Sequence, residues 1–253
     1  MKYIVIVGAS SGIGRAVAEA FARGGWRVGV TARREEPLRE LSEAYPGRIE
    51  YAAFDVAAEN SGRLFLDLVE RLGGMDIMLY AAGCGWYNPG LDTTDDVRTV
   101  ATNVTGFTRI VNASFLYYSR TANVTPGRIA AITSVAGVKG LGISAAYSAS
   151  KRYQWTYLQA IDQLAHIRHV NVGVTDIRPG FIQTRLLDRG PGELPLTMPL
   201  DYAVGLIVKA LLRGRRVVTI DSRWAVVSAL WRLIPNVLWP HLSVFNPPAS
   251  ADK

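Results

Sequence analysis

The sequence is poor in the residues that build disulfide frameworks and metal sites. It has one cysteine, Cys84, and 3 histidines among 253 residues. A single cysteine excludes an internal disulfide framework and favours a reducing, cytoplasmic compartment, with Cys84 as a small packed side chain rather than a reactive thiol. The histidines, His166, His169 and His241, form no recognisable ligand motif, so no metal site is predicted.

Long apolar runs are missing as well. Residues 1–7 are too short for a secretory signal. Near the other end, Arg232, Pro235 and Pro240 interrupt the apolar stretch 224–245, which argues against a membrane-spanning helix. No proline-rich linker or repeat divides the chain, and its hydrophobic content of 49% is enough for one large core.

Acidic residues are the scarcer charge, with 21 Asp and Glu against 28 Lys and Arg and a net charge of +7. This balance allows attraction to phosphate-bearing ligands or anionic lipid. Because no recognised module or aromatic–basic platform accompanies the charge, nucleic acid is not predicted as a partner.

Short β-rich runs alternate with amphipathic stretches along the chain. The predicted strands are 3–7, 27–31, 49–53, 76–80, 128–133, 171–177 and 217–220, and the predicted helices are 12–23, 37–45, 60–72, 94–120, 145–167 and 201–212. This alternation is typical of helices that cover both faces of a parallel sheet. The sequence therefore predicts an α/β fold with a doubly wound seven-stranded parallel sheet.

The loop from Gly8 to Gly14 follows the first predicted strand and opens the first helix. Gly8 permits a tight turn, while Gly12 and Gly14 allow close approach of a diphosphate and close packing of the helix on the sheet. The free N–H groups of the helix terminus would bind the phosphates. The alternative is a purely structural glycine turn.

Tyr147 and Lys151 lie four positions apart, so a helix places them on one face. A nearby ammonium favours the phenolate and brings the pKa of Tyr147 towards neutral pH. Tyr147 is therefore predicted to be a general acid in carbonyl reduction and a general base in the reverse reaction. Ser134, at the end of the fifth predicted strand, is preferred over Ser144 and Ser148 as the donor to the substrate oxygen.

The spacing Gly8-x-x-x-Gly12-x-Gly14, joined to Tyr147-x-x-x-Lys151, resembles the short-chain dehydrogenase/reductase family over most of residues 1–220. The resemblance implies a single Rossmann-like domain and a homodimer or homotetramer. It also implies that Lys151 holds the nicotinamide ribose, and that Asn103 holds Lys151 through water and supports the proton relay. Asparagine is unfavourable inside a helix, so a local break or a water-filled use is expected at Asn103. Simple hydrogen bonding at a helix end is the alternative.

The resemblance also indicates which cofactor binds. Ala32 stands where NAD-preferring relatives commonly have an acid, and Arg33 and Arg34 follow, so NADP(H) is predicted over NAD(H), with Arg33 as the first contact. An ordinary solvated turn is the alternative for these arginines, and a helix cap for Asp55. The predicted cofactor contacts are Gly8, Ser10, Ser11, Gly12, Ile13, Gly14, Arg33, Arg34, Asp55, Val56, Ala82, Gly83, Tyr147, Lys151, Pro179, Gly180, Ile182 and Thr184.

The predicted organisation is a catalytic domain over 1–222, with 185–200 as a cover over the substrate, and an apolar, basic extension over 223–253. The stretch 224–245 holds three tryptophans and leaves two alternatives open. It packs on its own domain or a neighbouring subunit, or it makes peripheral contact with a membrane. In either case it can wall the substrate cleft.

These features together predict an NADP(H)-dependent oxidoreductase that acts on a small or lipid-like carbonyl or alcohol, with Asn103, Ser134, Tyr147 and Lys151 as the catalytic set. An epimerase or dehydratase of the extended branch is disfavoured by the short chain and the glycine spacing. The alternative from another class is an NADP-binding sensor or regulatory protein without turnover.

Overall fold

The computed structural model describes residues 2–121, 126–184, 194–242 and 244. Within these ranges seven strands form one sheet in the order β3-β2-β1-β4-β5-β6-β7, and every neighbouring pair is parallel. The strands are β1 Tyr3–Val7, β2 Arg27–Ala32, β3 Ile49–Ala53, β4 Ile77–Tyr80, β5 Gly127–Ile132, β6 Val172–Pro179 and β7 Val217–Ile220. The predicted sheet is confirmed, and its order reverses between β1 and β4, where ligands bind in such folds.

Eight α-helices occur in the described ranges: α1 Gly12–Arg23, α2 Glu36–Ala44, α3 Ser61–Leu72, α4 Thr93–Val100, α5 Phe107–Arg120, α6 Ala145–Ile167, α7 Leu200–Arg213 and α8 Ser222–Leu233. The single helix predicted over 94–120 is interrupted by a π-helical segment, Ala101–Gly106. This segment contains Asn103, so the local break expected there is confirmed. Asn, Thr and Gly are weak helix formers, which makes a wider turn less costly at this point.

The core has two halves, one on each face of the sheet. In β1 the side chains alternate, with Ile4 and Ile6 in the half that contains α1, α2 and α7, and Val5 and Val7 in the half that contains α3, α5 and α6. All four side chains are fully buried, and each contributes about 1.5–3 kcal/mol by leaving water. This burial on both faces fixes the central strand, and with it the loop that follows.

The C-terminal extension is not separate from the domain. The boundary predicted between residues 222 and 223 falls one residue into α8, and Trp224 is buried in the core beside the sheet. Lys139 Nζ donates to the carbonyl of Ile234 at 2.8 Å, and Trp239 Nε1 donates to the carbonyl of Gly140 at 2.7 Å. The described part of the extension up to Trp239 therefore packs on its own domain. Among the described residues, none of the helices has the length and apolarity needed to cross a membrane.

Candidate active site

A cavity of about 200 Å³ lies where β4, β5 and β6 end. Ser134, Tyr147 and Lys151 line it, so three of the four predicted catalytic residues meet there. Asn103 lies directly behind them, because a Cβ atom on Gly83 would be 3.5 Å both from Asn103 Oδ1 and from Lys151 Nζ. The fold thus brings together residues that are up to 48 positions apart (151 minus 103).

Tyr147 lies near the start of α6, and Ser134 follows β5. Ser134 Oγ accepts the N–H of Ala136 at 3.1 Å, which fixes the serine at the turn. Burial raises the pKa of Tyr147, and a hydrogen bond with Ser134 acts in the opposite direction. The lowering of the Tyr147 pKa that was expected from Lys151 does not prevail, because desolvation of the phenol is the largest cause of the shift.

Lys151 is 4% exposed, and its Nζ lies 5.6 Å from the centre of the Tyr147 ring. The ammonium donates to the carbonyl of Ile132 at 3.1 Å and to Gln154 Oε1 at 3.2 Å. Burial lowers the pKa of Lys151 to about 8. At neutral pH Tyr147 is therefore protonated and Lys151 is largely charged, which is the state that suits proton donation to a carbonyl oxygen.

Asn103 is fully buried and its side chain makes three hydrogen bonds. Its Oδ1 accepts the N–H of Cys84 at 3.0 Å, and its Nδ2 donates to the carbonyl of Cys84 at 2.8 Å and to Ser150 Oγ at 3.0 Å. Asn103 therefore ties the loop after β4 to α6. Cys84 is buried, as expected for a packed side chain.

The glycine loop joins β1 to α1 beside the end of β4. Gly8 has a φ of +95°, and a Cβ atom there would lie 2.4 Å from the backbone nitrogen of Ala82. A Cβ on Gly14 would lie 2.2 Å from the carbonyl oxygen of Gly8. Helix α1 has no side-chain cap from Ser11 and no acid in its first turn, so its leading N–H groups suit an anionic ligand. A dinucleotide's diphosphate fits this cradle.

The predicted contacts for the adenosine half lie at the ends of β2 and β3. Arg34 donates to Ser10 Oγ at 3.3 Å and so reaches the glycine loop, although both Arg33 and Arg34 are exposed. Asp55 Oδ1 accepts the N–H of Ala57 at 2.9 Å. Val56 is buried against Gly106 of the π-helical segment.

Four further predicted contacts, Pro179, Gly180, Ile182 and Thr184, line the cavity where β6 ends. Ile182 pairs with Met198 in a parallel bridge, which closes the base of the predicted cover. Residues 185–193 of that cover lie outside the described residues. Leu194, the first residue described after them, lines the cavity.

Two residues outside the predicted site set, Trp224 and Gly85, shape the cavity, and Trp224 belongs to the stretch 224–245 that was expected to be able to wall the substrate cleft. The indole of Trp224 lies against Gly180, where a Cβ would be 2.1 Å from Trp224 Nε1, and that nitrogen donates to the carbonyl of Leu196 at 3.2 Å. Gly85 lies flat against Tyr147, since a Cβ there would be 2.4 Å from Tyr147 Cδ2. In the sequence, the three tryptophans of 224–245 indicated that this stretch could contribute to the cavity wall. No feature of the sequence indicated a role for Gly85.

Comparison with known proteins identifies the family. Residues 2–191 match the family model described as short chain dehydrogenase. The chain belongs to this family. A short-chain dehydrogenase is an oxidoreductase, and the similar curated proteins carry that activity in their names. One, an uncharacterized oxidoreductase of Myxococcus xanthus, is 31% identical over 241 residues, covering 93% of each chain. Another, a sepiapterin reductase of Chlorobaculum tepidum, is 30% identical and covers 86% of this chain and 94% of its own.

Solved structures show the same short-chain dehydrogenase fold. A 3-ketoacyl-(acyl-carrier-protein) reductase of Brucella melitensis, complexed with NADH, superposes with a TM-score of 0.77 at 20% identity over 87% of this chain and 96% of its own. ElxO with NADP bound superposes with a TM-score of 0.76 at 21% identity over 89% of this chain and 99% of its own.

Proposed function

We propose that this short-chain dehydrogenase uses NADP(H) to reduce an apolar, lipid-like carbonyl compound, and that Tyr147 is the proton donor. The observation that carries the proposal is the meeting of Ser134, Tyr147 and Lys151 in one cavity beside the glycine cradle. When bound, the nicotinamide supplies the hydride in reduction and accepts it in oxidation.

The side chains divide the remaining work. Ser134 donates a hydrogen bond to the substrate oxygen and stabilises the negative charge that develops on it. Tyr147 then gives its proton to that oxygen, for which its raised pKa keeps it protonated at neutral pH. Lys151 stabilises the phenolate that this transfer leaves on Tyr147, because its ammonium lies beside the ring.

The preference for NADP(H) rests on charge at the end of β2. Ala32 leaves no carboxylate where the ribose would lie, and Arg33 and Arg34 offer guanidinium groups to a further phosphate. Because Arg34 already reaches Ser10 of the glycine loop, we place it with Arg33 as a direct contact. Asp55 and Val56 would contact the adenine, and Pro179, Gly180, Ile182 and Thr184 would contact the nicotinamide.

The apolar substrate is inferred from the cavity wall. Aromatic and aliphatic side chains form most of it, and Lys151 is the one charged side chain among the described residues that line it. The larger aromatic and aliphatic members include Trp86, Tyr87, Leu141, Ile143, Phe181, Leu194, Trp224 and Trp231. A charged substrate tail would lose its hydration there without gaining a partner.

Cofactor oxidation tests the function. We expect purified protein to consume NADPH with long-chain or aromatic ketones and aldehydes, faster than with short, charged ones such as pyruvate, and faster than with NADH. The absorbance of the reduced nicotinamide is the measurement. Tight NADPH binding with no turnover on any carbonyl, and no effect of Tyr147→Phe, would instead support the sensor without turnover.

Peripheral membrane contact belongs to the same proposal, because one face of α8 lines the cavity through Trp224 and Trp231 while the opposite face is exposed. Val226, Leu230 and Leu233 are 61%, 57% and 77% exposed there. We expect vesicles of anionic phospholipid to sediment the protein, and Leu230→Ser with Leu233→Ser to abolish this while leaving the melting temperature unchanged. Sedimentation that the double variant leaves intact would contradict membrane contact.

The family resemblance predicts a homodimer or a homotetramer. Light scattering of the purified protein would measure its oligomeric state.

A further inference from the structure

Gln154 lies one turn after Lys151 on α6 and is fully buried. Its Nε2 donates to the backbone carbonyl of Asn103 at 2.9 Å, and its Oε1 accepts from Lys151 Nζ at 3.2 Å. The orientation of the amide follows from its partners, because a carbonyl can only accept and an ammonium can only donate. One side chain therefore spans the gap between two predicted catalytic residues.

The expected link between Asn103 and Lys151 was a water. In the structure the Gln154 amide makes this link, and the side chain of Asn103 is engaged elsewhere, with Cys84 and Ser150. The backbone carbonyl of Asn103 belongs to the π-helical segment. Burying an amide is costly unless both of its ends are satisfied. Here one end accepts from the Lys151 ammonium and the other donates to the backbone carbonyl of Asn103.

We propose that Gln154 is the positioning residue that holds the Lys151 ammonium beside Tyr147, in place of a water molecule. The inference rests on the proposed function, because the position of the ammonium matters only if Tyr147 moves a proton. An amide fixed at both ends cannot exchange with solvent as a water does. With Ile132 it engages two of the three N–H groups of Lys151. The third has no hydrogen-bond partner within the described ranges and can serve a ligand in the cavity.

Two substitutions separate positioning from packing. Gln154→Met keeps the volume but removes both hydrogen bonds, whereas Gln154→Ala opens space for water between two polar groups. We expect Gln154→Met to lower kcat about 10- to 100-fold with little change in KM, since a bond to a buried charge is lost. Gln154→Ala should retain more activity than Gln154→Met. A packing role predicts the reverse order, because the smaller side chain leaves a cavity.

The matched control is Gln159→Met, on the exposed face of the same helix, which should leave kcat unchanged. Equal kcat for wild type and Gln154→Met would overturn the inference, as would a lower kcat for Gln154→Ala than for Gln154→Met. If Tyr147→Phe retains activity, the proposed function itself fails. If Tyr147→Phe is inactive while Gln154→Met is normal, only the role of Gln154 fails.

A readout without turnover uses the amine itself. Competitive labelling of lysines by an acylating reagent across pH, read by mass spectrometry, reports the pKa of Lys151. We expect Gln154→Glu to raise that pKa, because a carboxylate stabilises the ammonium, and Gln154→Met to lower it. Unchanged labelling curves in both variants would contradict the proposed contact, even if one variant unfolds too easily for kinetics.

Discussion

At the proposed phosphate end of the site, the groups expected to bind are backbone N–H groups exposed by Gly8, Gly12 and Gly14. At the reacting end, Ser134, Tyr147 and Lys151 are side chains held by hydrogen bonds across several elements. The first end depends on the path of the backbone, which the glycines allow because they have no Cβ atom that would clash. The second depends on buried polar groups whose pKa values burial has shifted. The two ends should therefore fail differently when mutated.

The largest effect is expected at the reacting end, where Tyr147→Phe removes the transferable proton and keeps the ring. We expect kcat to fall about 10²- to 10⁴-fold, the usual contribution of a general acid. NADPH affinity, measured by fluorescence titration, should not change. Tyr157→Phe, on the same helix, serves as the control with normal kcat. Substantial turnover by Tyr147→Phe would contradict the assignment of Tyr147 as the proton donor.

At the phosphate end, Gly8→Ala should destabilise the protein by distorting the backbone of the glycine loop. The new Cβ meets Ala82 at 2.4 Å and the positive φ adds strain, so we expect a loss of about 2 to 5 kcal/mol in the free energy of unfolding. Gly47 has a φ of +70° and open space around it, so Gly47→Ala should cost only about 1–2 kcal/mol. Urea unfolding of both variants measures the difference. Equal losses would show that the contact with Ala82 is unimportant.

The pH dependence of stability sharpens the comparison, because only the reacting end buries a cation. The pKa of Lys151 is about 8 in the folded chain against 10.5 ordinarily. Between these values the unfolded chain binds more protons, so stability rises with pH there. Wild type should gain up to about 3 kcal/mol relative to Lys151→Met between pH 8 and 10.5. A constant difference across that range would mean that the ammonium is not desolvated.

The smallest effect is expected for the exposed arginines. Arg34→Ala and Arg33→Ala should each weaken NADPH binding about 5- to 20-fold, since a solvated charge-assisted bond contributes about 1–2 kcal/mol. NADH binding should be unaffected because NADH lacks the extra phosphate. Arg63→Ala, an exposed arginine on α3, should change neither affinity. Equal weakening of NADH and NADPH binding would contradict the proposed preference.

The sequence determined the sheet and the positions of the main motifs. Strands such as β1 and β3, and helices such as α1 and α6, have the predicted bounds, because burial on both sheet faces and helical periodicity are local signals. The Gly8–Gly14 loop and the spacing of Tyr147 and Lys151 are local in the same sense. Each of these features depends on residues that are close together in the sequence.

Only the tertiary structure decided what surrounds those motifs. Trp224 covers Gly180 across 44 positions (224 minus 180), and Gln154 reaches Asn103 across 51. Such contacts depend on how separate elements pack, for which a single sequence carries no periodic signal. The sign of the pKa shift of Tyr147 was decided the same way, because desolvation depends on all the atoms that exclude water from the hydroxyl, and residue spacing alone does not determine it.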